Sequence, residues 1–317
     1  MTAAQPELSI VLVAHEMRRE LTRTIRSLSP PMQLRVAAGR YELIVVDNGS
    51  SEPPDRAACE RFGARIRWLE ADDPSPSPAA AANAGLAEAT APLVGVMIDG
   101  ARIASPGLVH HALMASRLHS RALIATLGFH LGPDVQHRSI AAGYDRGAED
   151  ELLESVDWTA DGYRLFEISQ FSGSSRFGWF ETPAESNALF MAREIWQELG
   201  GYDERFRSPG GGHVNLDLFV RSCELPDARL VILLGEATFH QLHGGAASAR
   251  PPEQRRELGA EYRRLRGRRY ERPQMRPTYV GTLAPQAVAS IEGGHRPWGR
   301  ETTGAAPASN PSSVARS

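Results

Sequence analysis

The sequence of 317 residues contains no lysine, so all 35 of its basic residues are arginines. Together with 38 acidic residues they give a formal net charge of −3 at pH 7. This balance gives no reason to expect nucleic acid or another polyanion as a partner. A composition rich in alanine, arginine and proline but without lysine is typical of proteins from GC-rich bacterial genomes.

Long apolar runs and cysteine pairs are also missing. No segment approaches the roughly 20 apolar residues that cross a bilayer, and the amino terminus lacks the basic segment of a signal peptide. Cys59 and Cys223 are too few for a disulfide framework, and neither has the spacing of a metal-binding pair. We therefore expect a cytoplasmic protein that is at most peripheral to the inner membrane.

Strand-like and helix-like segments alternate in the first hundred residues. Residues 8–14 and 41–46 are mostly apolar and rich in β-branched side chains, as buried parallel strands are. Residues 20–28 have apolar side chains at helical spacing and predict a crossover helix between these strands. Residues 79–89 and 93–98 predict a further helix and strand. The predicted fold class is therefore α/β, a doubly wound sheet with helices on both faces.

Two of the predicted strands end in a carboxylate. Asp47 follows the strand at 41–46, and Asp99 follows the strand at 93–98. Open α/β sheets bind ligands outside the carboxyl ends of their strands, so these side chains predict one shared crevice. An aspartate at such a position also commonly caps the turn or helix that follows it.

Four segments occur in the order typical of one family. Residues 43–50 read LIVVDNGS, residues 80–86 read AAANAGL, a strand ends at Asp99, and residues 200–206 read GGYDERF. Together they resemble the inverting family 2 glycosyltransferases over residues 8–245. The resemblance implies a GT-A fold, a Rossmann-like doubly wound mixed sheet. It also implies transfer of a sugar from a nucleotide-diphospho-sugar donor to a hydroxyl acceptor with inversion.

The resemblance implies a set of donor-binding residues at the strand ends. Such an enzyme must fix the nucleobase, neutralise the diphosphate and expose the anomeric carbon. Arg102 suits the diphosphate because its planar donors match phosphate oxygens. His15 and Glu16 also fit a solvated loop, and Asn83 also fits a helix surface. The predicted donor-binding residues are Ala14, His15, Glu16, Asp47, Asn48, Asn83, Asp99, Gly100 and Arg102.

The family holds Mg²⁺ or Mn²⁺ with an Asp-x-Asp motif, and this chain departs from it. Asp99 is present, but Ala101 stands where the second carboxylate is expected. His240 follows a predicted strand at 229–234 and is the predicted second ligand of a Mn²⁺ or Mg²⁺ ion. His240 and His243 also have the spacing of a Zn²⁺ pair, or they are plain loop histidines.

The general base of an inverting transferase deprotonates the acceptor hydroxyl. The family motif Glu-Asp-x-Asp-Leu is here reduced to Val214-Asn215-Leu216-Asp217-Leu218. Asp217 is therefore the first candidate for the base and Glu185 the second. Asp217 also fits a simple helix ion pair with Arg221, four residues further on.

The chain divides by composition into three expected regions. Residues 1–250 form the GT-A domain, with a nucleotide-binding half at 8–105 and an acceptor-binding half at 106–250. Residues 251–280 form a helical extension, and the overlapping stretch 250–276 holds ten arginines. It predicts a solvated helix or one that contacts anionic lipid. Residues 281–317 are rich in Gly, Pro, Ala and Ser and predict a disordered tail.

The two departures from the family pattern leave other functions open. Without a carboxylate at Ala101 and Asn215, the chain also fits an inactive GT-A domain that binds a sugar nucleotide or a partner. A nucleotidyltransferase on a similar sheet is less favoured, because the sequence has no glycine-rich loop with a lysine near its amino terminus. The acceptor expected of a transferase is a glycan, a glycolipid or a metabolite, as in polysaccharide biosynthesis.

Overall fold

The computed structural model describes residues 5–243 and 252–292. Its strands are β1 (Leu8–Ala14), β2 (Tyr41–Asp47), β3 (Ile66–Glu70), β4 (Leu93–Met97), β5 (Arg102–Ala104), β6 (Ala122–Leu131), β7 (Ser169–Phe171), β8 (Leu189–Ala192), β9 (Arg229–His240) and β10 (Thr278–Gly281). Its α-helices are α1 (Arg18–Ser27), α2 (Arg56–Glu60), α3 (Ala79–Glu88), α4 (Leu108–Ala115), α5 (Gln136–Ala141), α6 (Arg146–Ser155), α7 (Arg193–Leu199), α8 (Val214–Cys223), α9 (Pro252–Arg266) and α10 (Pro285–Glu292).

The strands form one mixed sheet in the order β10-β9-β6-β8-β4-β1-β2-β3, with β5 added to β9 and β7 added to β6. Strand β1 pairs in parallel with both β2 and β4, and β8 is antiparallel to β4 and β6. The strand order therefore reverses at β1 and β4. In doubly wound sheets the ligand crevice lies at that reversal, outside the carboxyl ends of the two strands.

Helices cover both faces of the sheet, as the alternating sequence pattern predicts. On one face, α1 and α4 bury apolar side chains such as Leu21 and Leu108. On the other face, α3, α7 and α8 pack through residues that include Ala82, Trp196 and Leu218. Because helices cover both sides, the central strands are buried at every position and are mostly apolar instead of alternating.

Strand β9 is longer than the sequence predicts, and this places His240 in a strand and not in a loop. The expected end at residue 234 is only a bulge, where the register of β9 against β6 shifts. Gly235 has φ 81°, and a Cβ there would lie 2.3 Å from the carbonyl oxygen of Thr282. Glycine is therefore required at this bulge. Beyond it β9 pairs antiparallel with β5, which sets Arg102 opposite His240.

Residues 128–176, which have no clear period in sequence, fold around an aromatic cluster. Strand β6 continues to Leu131, and α5, α6 and β7 follow it. The rings of Phe129, Phe166, Trp179 and Phe239 lie within 4.9–6.1 Å of one another where they pair. This segment therefore has its own apolar core on the side of the sheet that carries β5 and β9.

The carboxyl-terminal region differs from two expectations. Helix α9 is not solvated all round, because Tyr262 is buried in the main core. The expected disorder from residue 281 is wrong for the first part of that segment, since α10 forms and buries Ala287. The remainder of the predicted tail, residues 293–317, lies outside the described residues.

In residues 5–243 and 252–292, no helix is both long and apolar enough to cross a membrane. Contact of the arginine-rich helix with lipid stays a prediction.

Candidate active site

A cavity of about 1150 Å³ opens outside the carboxyl ends of β1 and β4. Val13 and His15 line it from the β1 side, and Ile98 and Asp99 line it from the β4 side. Its volume exceeds the roughly 300–1,000 Å³ of pockets for drug-sized ligands, so it can hold a nucleotide sugar with part of an acceptor. The polar residues of its floor are Asp99, Arg102, Glu185, Asn187, Asn215 and His243.

Asp99 meets two histidines at this floor. His240 Nε2 lies 2.8 Å from Asp99 Oδ2, and His243 Nε2 lies 3.7 Å from Asp99 Oδ1. The two Nε2 atoms are 3.2 Å apart. One ligand atom from each of the three side chains falls within 4.8 Å of the others. The structure thus brings together Asp99 and His240, as predicted from the sequence, and adds His243 to them.

The charges in this cluster favour metal-ligand forms of the side chains. Burial lowers the pKa of His240 to about 4, which keeps the imidazole neutral at pH 7. Burial acts to raise the pKa of Asp99, but His240 and Arg102 hold it well below its usual value. A neutral imidazole and an ionised carboxylate are the forms that bind divalent cations. The three residues therefore fit a metal ion such as Mn²⁺ or Zn²⁺.

Arg102 lies beside this cluster and lines the cavity. Its side chain is 9% exposed, and its Nε lies 3.4 Å from Asp99 Oδ2. Within the described part of the chain, Nε and Nη1 have no hydrogen-bond partner. Leaving buried donors unpaired costs about 1–3 kcal/mol each. Arg102 is therefore suited to an anionic ligand that supplies the missing acceptors.

Glu185 faces the same cavity and is held by Asn215. The Asn215 amide donates to Glu185 Oε2 over 2.9 Å and to the Ser186 carbonyl over 3.0 Å. Burial raises the pKa of Glu185, while Asn215 and Arg102 act in the opposite direction. A carboxylate with a raised pKa at a cavity wall has the properties of a general base. Asn215 thus positions the carboxylate of Glu185 at the cavity.

Asp217, the first candidate for the base, does not lie in this cavity. Its side chain is 1% exposed and accepts hydrogen bonds from Arg221 Nε over 2.8 Å and from Arg266 Nη2 over 2.7 Å. Both partners line a second, shallower depression together with Asp203. A fully buried carboxylate between two arginines cannot reach an acceptor hydroxyl. The geometry therefore corrects the assignment of Asp217 and leaves Glu185 as the candidate.

The residues predicted at the other strand ends shape the cavity mainly through the backbone. Asp47 Oδ1 accepts from the Ser50 backbone N–H and hydroxyl, so this carboxylate caps the turn after β2. Asn48 lines the cavity and bonds the backbone of Ser75 in the proline-rich loop. Ala14 contributes only a carbonyl, which accepts from Asn48 N–H.

Three further predicted positions have different outcomes. His15 and Glu16 are exposed and line the cavity. Gly100 does not line it, and its backbone bonds Val13 and Thr24 inside the core. Asn83 lies outside it too, because its side chain bonds the backbone of Tyr202 in both directions.

The side chains that hold His243 in place could not be found from the sequence. Glu149 accepts from the Leu242 N–H over 2.6 Å, and Arg19 donates to the Leu242 carbonyl over 2.9 Å. Glu149 comes from α6, a segment without a readable motif. The only signal in the sequence was the acidic run Glu149-Asp150-Glu151, which is typical of any solvated helix.

No protein-family model and no curated protein matches this sequence. Its fold is similar to solved structures of TarS from S. aureus. The structure of TarS residues 1–349 in complex with UDP-GlcNAc has a TM-score of 0.53 at 13% identity, over 81% of this chain and 66% of that chain. The complex with UDP has a TM-score of 0.50 at 12% identity, over 80% and 64%.

A third structure of TarS has a TM-score of 0.50 at 11% identity, over 74% of this chain and 37% of that chain. The present chain thus spans less than two thirds of the length of each of these proteins. At such identities the similarity concerns the fold alone. The predicted α/β fold, a mostly parallel mixed sheet between helices, is confirmed, and it is similar to the fold of these structures.

Proposed function

We propose that this protein transfers a sugar from a nucleotide-diphospho-sugar to a hydroxyl acceptor, with inversion at the anomeric carbon. The observation that carries the proposal is a single cavity at the strand-order reversal that combines a metal-ligand cluster, a buried arginine and a carboxylate with a raised pKa. The TarS structures with UDP and UDP-GlcNAc support it, since the same fold binds such a donor there.

The donor's diphosphate would meet Asp99, His240, His243 and Arg102. Asp99, His240 and His243 would hold a divalent ion, which would supply Lewis-acid stabilisation of the charge on the leaving diphosphate. Arg102 adds a fixed positive charge and two buried donor atoms, Nε and Nη1, that have no hydrogen-bond partner among the described residues. Those donors match phosphate oxygens in geometry. Arg102 thereby neutralises part of the diphosphate charge.

Glu185 is the proposed general base. The acceptor oxygen forms a bond to the anomeric carbon while the bond from that carbon to the β-phosphate oxygen breaks. Glu185 takes the hydroxyl proton, and the nucleoside diphosphate leaves with the bonding electrons. Asn215 keeps Glu185 oriented through the bond of 2.9 Å to Oε2. Transfer in one displacement inverts the configuration.

The two ends of the cavity suit the two substrates. His15, Asn48 and Pro76 lie at the β1 and β2 side, where the nucleoside would lie. Asn187 and Gly212 lie on the side of Glu185, where the acceptor would enter. The acceptor class we propose is a hydroxyl of a glycan, a glycolipid or a metabolite.

The test is a thermal-shift screen with UDP-, GDP- and dTDP-sugars in Mn²⁺, followed by detection of released nucleoside diphosphate with a panel of sugar acceptors. We expect stabilisation by one nucleotide class and release that is lost in Glu185→Gln. Full release in EDTA would assign the diphosphate to Arg102 without a metal. Binding without release by any acceptor or water would instead favour the inactive binding module.

A further inference from the structure

The ligand atoms of Asp99, His240 and His243 already have the spacing of a coordination sphere. Two ligands about 2.1 Å from a metal ion, at right angles or at the tetrahedral angle, lie roughly 3.0–3.4 Å apart. The contacts here are 2.8 Å, 3.2 Å and 3.7 Å. Small movements of the three side chains therefore suffice to surround an ion.

Two of the three ligands, Asp99 and His240, lie at or next to strand ends, where hydrogen bonds fix the backbone. Asp99 Oδ1 accepts from the Ala101 N–H over 3.0 Å, which fixes the carboxylate in the turn between β4 and β5. His240 is the last residue of β9 and lies opposite Arg102 in β5. The relative position of Asp99 and His240 thus follows from the ladder between β5 and β9.

His243 lies three residues beyond the strand, and its approach is fixed by buried side chains. Gln241 donates from its backbone to the Ala101 carbonyl and from its side chain to the Glu20 carbonyl. The peptide groups of Leu242 are held on both sides by Glu149 and Arg19, at 2.6 Å and 2.9 Å. Arg19 Nη2 also bonds Glu149 Oε1 over 2.9 Å. We call this arrangement the Glu149–Arg19 clamp.

The clamp depends on a buried carboxylate. The Glu149 side chain is 1% exposed, and burying a carboxylate is unfavourable by several kcal/mol before pairing is counted. Glu149 touches no part of the cavity floor. What it does is hold the chain immediately before His243, as the supporting groups around metal ligands do in metalloproteins.

The donor set also discriminates between metals. Mg²⁺ prefers oxygen ligands in octahedral geometry and keeps several waters. Imidazole nitrogen suits Zn²⁺, Fe²⁺ and Ni²⁺ much better, and Mn²⁺ is the weakest binder of the first-row transition metals. Two imidazoles and one carboxylate are therefore an unfavourable site for Mg²⁺.

We infer that Asp99, His240 and His243 form a preformed site that binds a transition metal ion without nucleotide and discriminates against Mg²⁺, and that the Glu149–Arg19 clamp positions His243 for it. This inference rests on the proposed function, whose metal it specifies. The ion is then resident in the protein, whereas an oxygen-only site would receive it together with the donor's diphosphate.

The test is calorimetric titration of the full chain, stripped with EDTA and dialysed, with MnCl₂, ZnCl₂ or MgCl₂ and no nucleotide. We expect one equivalent of Zn²⁺ to bind at least about 100-fold more tightly than Mg²⁺, and Mn²⁺ to bind less tightly than Zn²⁺ but more tightly than Mg²⁺. Glu149→Gln should weaken Mn²⁺ binding by about 10- to 100-fold, the usual effect of losing a supporting group. Glu151→Gln, at an exposed position of the same helix, is the matched control and should bind as the wild type does.

The outcomes separate the inference from a merely structural role of the clamp. If Glu149 only stabilises the fold, Glu149→Gln lowers the melting temperature but leaves the Mn²⁺ affinity of the folded protein unchanged, and the clamp inference is overturned. His243→Ala leaves the clamp in place and should weaken Mn²⁺ binding on its own, so a poorly folding Glu149→Gln does not end the test.

The same titrations separate the inference from the proposed function. Mn²⁺ binding only in the presence of UDP or GDP, or equal affinity for Mg²⁺, would overturn the inference and leave sugar transfer intact. Tight Mn²⁺ binding in a protein that releases no nucleoside diphosphate from any donor would support the inference and overturn the proposed sugar transfer.

Discussion

Asp99 and Asp217 are both aspartates that the sequence marks for chemistry, and their surroundings differ. Asp99 is 20% exposed at a cavity and lies beside His240, His243 and a partly unpaired arginine. Asp217 is 1% exposed and is enclosed by Arg221 and Arg266, which donate to its two carboxylate oxygens. A carboxylate that arginines satisfy completely stabilises the fold. A carboxylate that lies beside histidines at an open cavity is available to a ligand.

The largest expected effect on activity is that of Asp99→Asn. Loss of this ligand removes the metal's stabilisation of the leaving diphosphate, worth several kcal/mol, so turnover should fall by about 10³-fold. Steady-state release of nucleoside diphosphate measures it, with melting temperature as the control for folding. Activity within tenfold of the wild type would remove Asp99 from the mechanism.

Glu185→Gln should lower kcat by at least about 10²-fold, because the amide cannot accept the acceptor's proton. The side chain keeps its shape and its position near Asn215, so the donor affinity should stay within about threefold. If Glu185→Gln is active and Asp217→Asn is not, the assignment of the base reverses.

The pH dependence of kcat/KM tests the same carboxylate. Burial raises the pKa of Glu185 above its ordinary value, with Arg102 and Asp99 as the nearest charges. Glu185 must be ionised to act as the base, so activity should be present above the raised pKa. It should fall about tenfold per unit as the pH drops below it. An acid limb at the ordinary glutamate pKa in saturating Mn²⁺ would contradict this.

Asp217→Asn should act on stability and hardly on chemistry. Removing this charge breaks the ion pairs of Asp217 with Arg221 and Arg266, which keep backbone carbonyls and Asp203 as their other partners. Breaking a buried ion pair costs about 3–5 kcal/mol. Chemical denaturation should therefore show a lower free energy of unfolding. The folded protein should keep kcat and Mn²⁺ affinity within about threefold. A 10²-fold loss of kcat at unchanged stability would restore Asp217 as the base.

The smallest effect on activity is expected for Asn83→Ala. Asn83 bonds the Tyr202 backbone outside the cavity, so its loss should cost about 1–2 kcal/mol of stability. The KM for the donor should stay within about twofold. A large rise of that KM would return Asn83 to the donor site, as the family resemblance implies.

The sequence predicted the nucleotide side of the fold better than the acceptor side, for a physical reason. Strands such as β1 and β2 are buried on both faces, so they are mostly apolar runs with clear ends at Ala14 and Asp47. Contacts that join distant segments leave no such pattern. The bond of Asn215 to Glu185 and that of Glu149 to Leu242 depend on how loops pack, and single positions do not reveal this.

Helix and strand ends were missed for similar reasons. Gly235 interrupts the apolar pattern of β9, so the pattern predicts a strand end before His240, the residue that pairs with Arg102. The bulge needs glycine because the backbone at Thr282 approaches closely. Helix α10 lies in a sequence of disorder-prone composition and forms by packing Ala287.

The most direct test of the account is calorimetric binding of UDP and GDP to the wild type and to Asp99→Asn, each in Mn²⁺ and in EDTA. For the nucleotide that the wild type prefers, the account predicts affinity at least about tenfold tighter in Mn²⁺ than in EDTA, a gain that disappears in Asp99→Asn. Equal affinity in Mn²⁺ and EDTA for the wild type, or an undiminished gain in the variant, would contradict a metal-assisted diphosphate site at Asp99.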